Sequence, residues 1–137
     1  YNNFEIKSNQ IEFLDYFENS FKIIERNLEN NQLKDIIKVK INQLNILGEC
    51  NLKLLNYQKA REYFLIQYEI LNNAENILEF KIYFIRILLK LGYLDFLLGS
   101  YLSSIDFYKN ALNNIQNIQK HNNNISELSY LFGCTFN

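Results

Sequence analysis

A glycine interrupts an otherwise helix-forming run at LNILGEC, residues 44–50, again at LLKLGYL, 88–94, and again at SYLFGCT, 129–135. Glycine inside a helix costs roughly 1 kcal/mol against alanine, so its recurrence calls for a packing reason. Gly48, Gly92 and Gly133 are spaced by 44 and then 41 residues. The flanks recur with them. Tyr57 and Tyr101 lie nine residues past their glycines, Ala60 and Ser104 twelve past, and Phe64 and Tyr108 sixteen past. The recurrence marks Gly48 and Gly92 as equivalent positions in a repeated helical unit, where the absence of a side chain serves packing. A Cβ at either glycine would push neighbouring helices apart, and the packing sacrificed would outweigh the helix propensity gained.

The rest of the chain agrees with an all-α fold. Proline is absent and only four glycines occur in 137 residues, too few for the tight turns that a sheet protein needs. Residues 9–30 place Ile11, Leu14, Phe17, Phe21, Ile24 and Leu28 at three- and four-residue steps. That is the stripe of an amphipathic helix, and its far face sets Glu18 before Lys22 in the favourable order. Further helices are predicted over about 33–55, 57–71, 74–98 and 101–119, with a last one starting near Ile125. Ala60, Tyr63, Phe64, Gln67 and Leu71 form the apolar side of the third. Asn73 and Ser100 are predicted caps. Short polar links between six helices imply antiparallel neighbours.

The leucine-glycine, small residue and aromatic at these offsets resemble the tetratricopeptide repeat. The resemblance covers residues 36–119 well, with Ala111 completing the second copy where the first has Gln67. It implies antiparallel helix hairpins stacked into a right-handed superhelix, an α-solenoid, with the two helices of a repeat crossing most closely at Gly48 and Ala60, and again at Gly92 and Ser104. Residues 33–73 and 74–119 would be two repeats, 9–30 the second helix of a preceding one and 125–137 the first helix of a following one. A spacing of 44 exceeds the family's usual 34; longer repeats of this kind are similar to those of kinesin light chain, soluble NSF attachment proteins and adaptors that orient spindles. Leu44 and Leu88 stand at the usual tryptophan position, and the usual proline is missing. The chain contains no methionine, and both ends fall inside a repeat, so it reads as a segment of a longer solenoid.

Little in the sequence points to catalysis, and no enzyme activity, cofactor or metal site is expected. The single histidine, His121, lies in the Asn-rich stretch KHNNN and reads as a solvated loop residue. Cys50 and Cys134 are not in a C-x-x-C pair and read as buried, reduced packing residues. Acidic residues along 15–29 interleave with Lys22 and Arg26, the pattern of a solvated charge ladder. Fourteen basic and fifteen acidic residues are well mixed; the basic face that drives phosphate binding is missing, so no nucleic-acid partner is expected. The apolar run 82–98 carries Arg86, Lys90 and Asp95, each costly at a bilayer centre, so it reads as a helix buried among its neighbours and not as a membrane span.

A protein-binding surface remains. In the tetratricopeptide family the first helix of each repeat lines the concave groove. Counted from the matched glycines, the resemblance places Asn42, Asn45, Glu49, Leu52 and Lys53 there in the first repeat. In the second it places Arg86, Leu89, Tyr93, Phe96 and Leu97. Leu89, Tyr93, Phe96 and Leu97 make one stripe at helical spacing, suited to a partner's apolar helix or, equally, to packing on an adjacent repeat. Repeats that clamp chaperone C-termini hold a carboxylate with Lys and Asn; Glu49 at a matching site would repel it, and no clamp is expected. The expected role is a non-catalytic scaffold or adaptor for a protein or peptide, within a multi-subunit, intracellular and cytoplasmic assembly, including cytoskeletal or ciliary ones. A peptide-sensing regulatory array and the helical arm of an enzyme are the alternatives.

Overall fold

The computed structural model of the protein describes the backbone at residues 3–26 and 30–121, with side chains at 9–26 and 32–121. The described residues form five helices and no strand: α1 (Asn3–Glu25), α2 (Asn30–Lys53), α3 (Tyr57–Asn72), α4 (Leu78–Leu97) and α5 (Tyr101–His121). The helix predicted near Ile125, Gly133 and Cys134 lie outside the described residues. The chain divides into two compact units, Tyr1–Asn42 and Gln43–Asn137.

In the first unit, Phe13, Phe17 and Phe21 run along α1 with ring centroids 5.7 and 4.8 Å apart. Leu14, Phe17 and Phe21 are half-buried, whereas Ile11 and Ile24 are exposed. Glu18 does not use Lys22. Its carboxylate accepts from Lys40 of α2 at 2.9 Å, and Lys40 is buried with its ammonium over the Phe21 ring. A buried ammonium has no water to compensate it, so the carboxylate it can reach across the helix pair is worth more than an exposed i, i+4 neighbour.

The second unit is organised around α4, which packs against both α3 and α5. Phe80, Ile82, Ile85, Ile87, Leu88, Leu91, Leu94 and Asp95 are all buried on it. A helix that is apolar nearly all round needs cover on several sides. Ala60, Tyr63, Phe64, Gln67 and Leu71, the predicted apolar side of α3, are its buried residues.

The two hairpin turns of this unit are copies of one another. Leu54, Leu55 and Asn56 donate their backbone N–H groups to the carbonyls of Cys50, Leu52 and Asn51, at 3.1, 3.0 and 2.8 Å. Forty-four residues on, Leu98, Gly99 and Ser100 donate to Leu94, Phe96 and Asp95 at 2.9, 3.1 and 2.8 Å. The last two bonds of each set, one nested in the other, close a helix when the residue after its end is left-handed. Leu55 and Gly99 hold that place, with φ of 61° and 80°. The next helix then starts identically, Ala60 bonding back to Asn56 and Ser104 to Ser100. The repeat seen in side-chain types is therefore also a repeat of backbone geometry.

Boundaries differ from expectation where asparagine was ambiguous. Helix α2 begins at Asn30 and not at about residue 33, so Asn30 and Gln32 belong to its first turn. Helix α4 starts at Leu78 and not at residue 74: Ile77, extended at φ −107° and ψ 150°, is its N-cap. Asn73 instead closes α3, its amide donating to the Glu69 carbonyl at 2.9 Å. The same residue type satisfies either end of a helix. His121, expected in a loop, is exposed as predicted but is the last residue of α5; Lys120 beside it places a cation where the helix dipole favours one.

Candidate protein-interaction face

Gly48 is buried, and a Cβ added to it would stand 2.5 Å from the Phe64 ring. At Gly92 the added Cβ would stand 3.1 Å from the Tyr108 ring. What first meets each glycine is thus the aromatic residue and not the small residue predicted. The small residue acts alongside: Ser104 donates its hydroxyl to the Gly92 carbonyl at 2.7 Å, and Ala60 is fully buried. The aromatic lies one turn beyond the small residue on the same helix face, which lets its ring cover the bare Cα.

These contacts fix α2 and α4, the helices that carry the candidate partner residues. Lys90 of α4 reaches back to α2, donating to Asn45 at 2.5 Å and pairing with Glu49 at 2.8 Å. Its ammonium also lies 5.2 Å from the Phe64 ring centroid. Asn45 and Glu49 are therefore drawn together by one lysine, and both are half-buried. Leu52 is half-buried and Lys53 exposed. Asn42 is exposed and falls in the first unit.

On α4 the stripe splits. Leu89 is half-buried against the core cluster of Ile82, Ile85, Leu88, Ala111 and Ile118. Tyr93, Phe96 and Leu97 stay exposed, at 52, 55 and 37 %. Phe96 faces Tyr101 of α5 with centroids 5.7 Å apart, so two exposed rings form one edge. Burial, and then the neighbouring Tyr93 phenol, hold the Tyr108 hydroxyl above its usual value. Arg86 is exposed near the other end of α4, lining an open cavity of about 440 Å³ with Leu78, Ile82 and Tyr83.

One group was not anticipated as a site. Arg61 of α3 donates to both carboxylate oxygens of Asp95, at 2.5 and 3.3 Å, and Ser103 of α5 donates to the same carboxylate. Asp95 is 1 % exposed, so this network ties three helices from inside. The sequence carried a signal: Asp95 falls among the apolar residues of the last turns of α4, where a carboxylate needs a cation, and Arg61 of α3, half-buried, supplies it. Cys50, expected to be buried, is exposed and free, because it lies outside the Gly48–Asn51 face that turns inward.

Among the described residues no three His, Cys, Asp or Glu side chains gather as a metal site would need. No described helix is long and apolar enough to cross a membrane. No family model, curated protein or solved structure matches this chain.

Proposed function

We propose that this chain is a tetratricopeptide-like solenoid segment that serves as a non-catalytic scaffold for a protein or peptide partner. Its hairpins would stack into a right-handed superhelix, and α2 and α4 would supply the partner face. The observation that carries the reading is the exposed apolar cluster of Tyr93, Phe96 and Leu97, set on a helix whose position is fixed by packing at Gly92 and by the Lys90 bridge. Rigid aromatic side chains presented from a fixed helix give contact area at low entropy cost, and such residues dominate interface energetics. An amphipathic helix with apolar groups at three- and four-residue steps is the partner chemistry that fits. An intracellular multi-subunit assembly is the setting in which such a segment would act.

The test is selection of helical peptides against the full chain from a displayed library, followed by Phe96→Asp. We expect the selected peptides to lose affinity by about tenfold or more, as loss of a central anchor does, with helical circular dichroism unchanged. Equal binding to Phe96→Asp would overturn the reading, and loss of folding would place Phe96 in the core.

A further inference from the structure

The most exposed large apolar side chains among the described residues of the second unit gather at its two hairpin turns. Leu54 and Leu55 are each 70 % exposed at the first, and at the second Leu102 is 81 % and Tyr101 60 % exposed. We infer that this hairpin-tip edge docks on an anionic lipid surface, its leucines entering the interface while no helix crosses it.

Leu55 supplies the first reason. It holds the left-handed conformation at φ 61°, the place that Gly99 fills at 80° in the matching turn. A branched L side chain is strained there and glycine is not. Strain of this kind persists where contacts over-determine it, and it marks functional surfaces more often than others. Within the chain Leu55 has little burial to offset its strain. The compensating contact therefore lies outside the chain, and an isobutyl group calls for apolar surroundings.

Placement and charge name the occupant. Arg61, at the start of α3, bonds Asp95 in the last turn of α4, so the chain returns to the level of its first turn before making the second. Both turns thus sit at one end of the hairpins. The segments that build them, LKLLNYQK at 52–59 and FLLGSYLSS at 96–104, hold two lysines and no acid, in a chain whose net charge is −1. Lys59 is paired with Glu62 at 3.1 Å, but Lys53 is exposed among the leucines. The adjoining Asp95 is buried. A cation beside leucines complements anionic headgroups above acyl chains, and the two attractions add. Tyr101 contributes the amphipathic ring that settles at headgroup depth. A partner's helix needs a groove, which projecting turns do not offer. A second copy would bring the same lysines and no acid to the contact, without complementary charge.

Co-sedimentation of the full chain with vesicles tests the inference, using phosphatidylcholine containing about a third phosphatidylserine, and phosphatidylcholine alone, at low ionic strength. We expect the chain to partition onto the mixed vesicles and several-fold more weakly onto the neutral ones. Leu54→Glu joined with Leu102→Glu should lower partitioning about tenfold or more, and Lys53→Gln should lower it about fivefold on the mixed vesicles alone. Leu55→Gly separates docking from folding: it should partition about threefold or more weakly while unfolding at a higher denaturant concentration than the native chain. If the doubly substituted chain does not fold, Leu55→Gly and Lys53→Gln decide the matter. Absence of sedimentation with the mixed vesicles, native-level partitioning of Leu55→Gly or of the double variant, or a native dimer that the double variant dissociates, as a second copy on this edge would give, would overturn the inference. Tyr93, Phe96 and Leu97 are unaltered in every variant, so the partner reading of α4 stands or falls separately.

Discussion

The two buried glycines share a register position but not an energetic one. At Gly48 the ring that a methyl group would strike belongs to Phe64, which is fully buried and has nowhere to go. At Gly92 the ring is that of Tyr108, more than a third exposed and able to swing outward. Gly48→Ala is therefore expected to destabilise by about 2 kcal/mol, within the overpacking range. Gly92→Ala should fall within about 1 kcal/mol of neutral, because the propensity gained offsets a small shift. Urea unfolding of both variants checks the order; an equal cost would refute it. Leu55 offers the converse case. It holds the left-handed conformation that Gly99 holds in the second hairpin, at roughly 1–2 kcal/mol for an L side chain. Being exposed, it has little burial to set against that strain. Leu55→Gly is expected to raise stability by up to about 1 kcal/mol, after the extra freedom of glycine in the unfolded chain is included, and Gly99→Leu to lower it by about as much or more. Thermal melts of the pair measure both.

At the scale of helices, the link that matters is the Arg61–Asp95–Ser103 network joining α3, α4 and α5. Arg61→Ala leaves a carboxylate buried with its cation removed, and about 3 kcal/mol of destabilisation is expected. Arg61→Leu combined with Asp95→Leu should recover most of that, as apolar replacement of a buried pair commonly does. A double-mutant cycle by denaturant unfolding measures the coupling; additive costs would show that the pair acts independently. The helices themselves were legible in the sequence because their apolar periodicity is strong, and the buried side of α3 follows from it residue by residue. The start of α4 was not legible: AENI carries no breaker, and only the extended backbone at Ile77 shows where the helix begins. Pairings between helices were the other gap. Glu18 chose Lys40 over Lys22, a choice set by burial that linear spacing cannot express.

At the scale of the molecule, the repeat was legible because glycine, small residue and aromatic recur together, and the paired turns bear out a repeating backbone. Of the candidate partner residues, the sequence could place Tyr93, Phe96 and Leu97 on a stripe, but not separate them from Leu89, which the core claims. Nor could it show that Lys90 already holds Asn45 and Glu49. That lysine bears on what the segment can bind. With Glu49 beside it, Lys90 is not offered to a terminal carboxylate, so peptides with a free C-terminus and their amidated forms should bind within about twofold of each other, an energy difference below that of a typical exposed ion pair. Calorimetric titration of matched peptides checks this, and a strong preference for the free acid would count against it.

The matched hairpin turns have a consequence for how such a chain can grow. Asn56 and Ser100 leave their respective turns through the same sequence of backbone bonds, so splicing a second copy of residues 56–99 in tandem after Gly99 would recreate at the new seam the joint already present at the old one. An in-frame duplication of that 44-residue unit would therefore keep a closing turn after each copied helix, whereas a cut inside a turn would part the N–H donors from the carbonyls that close it.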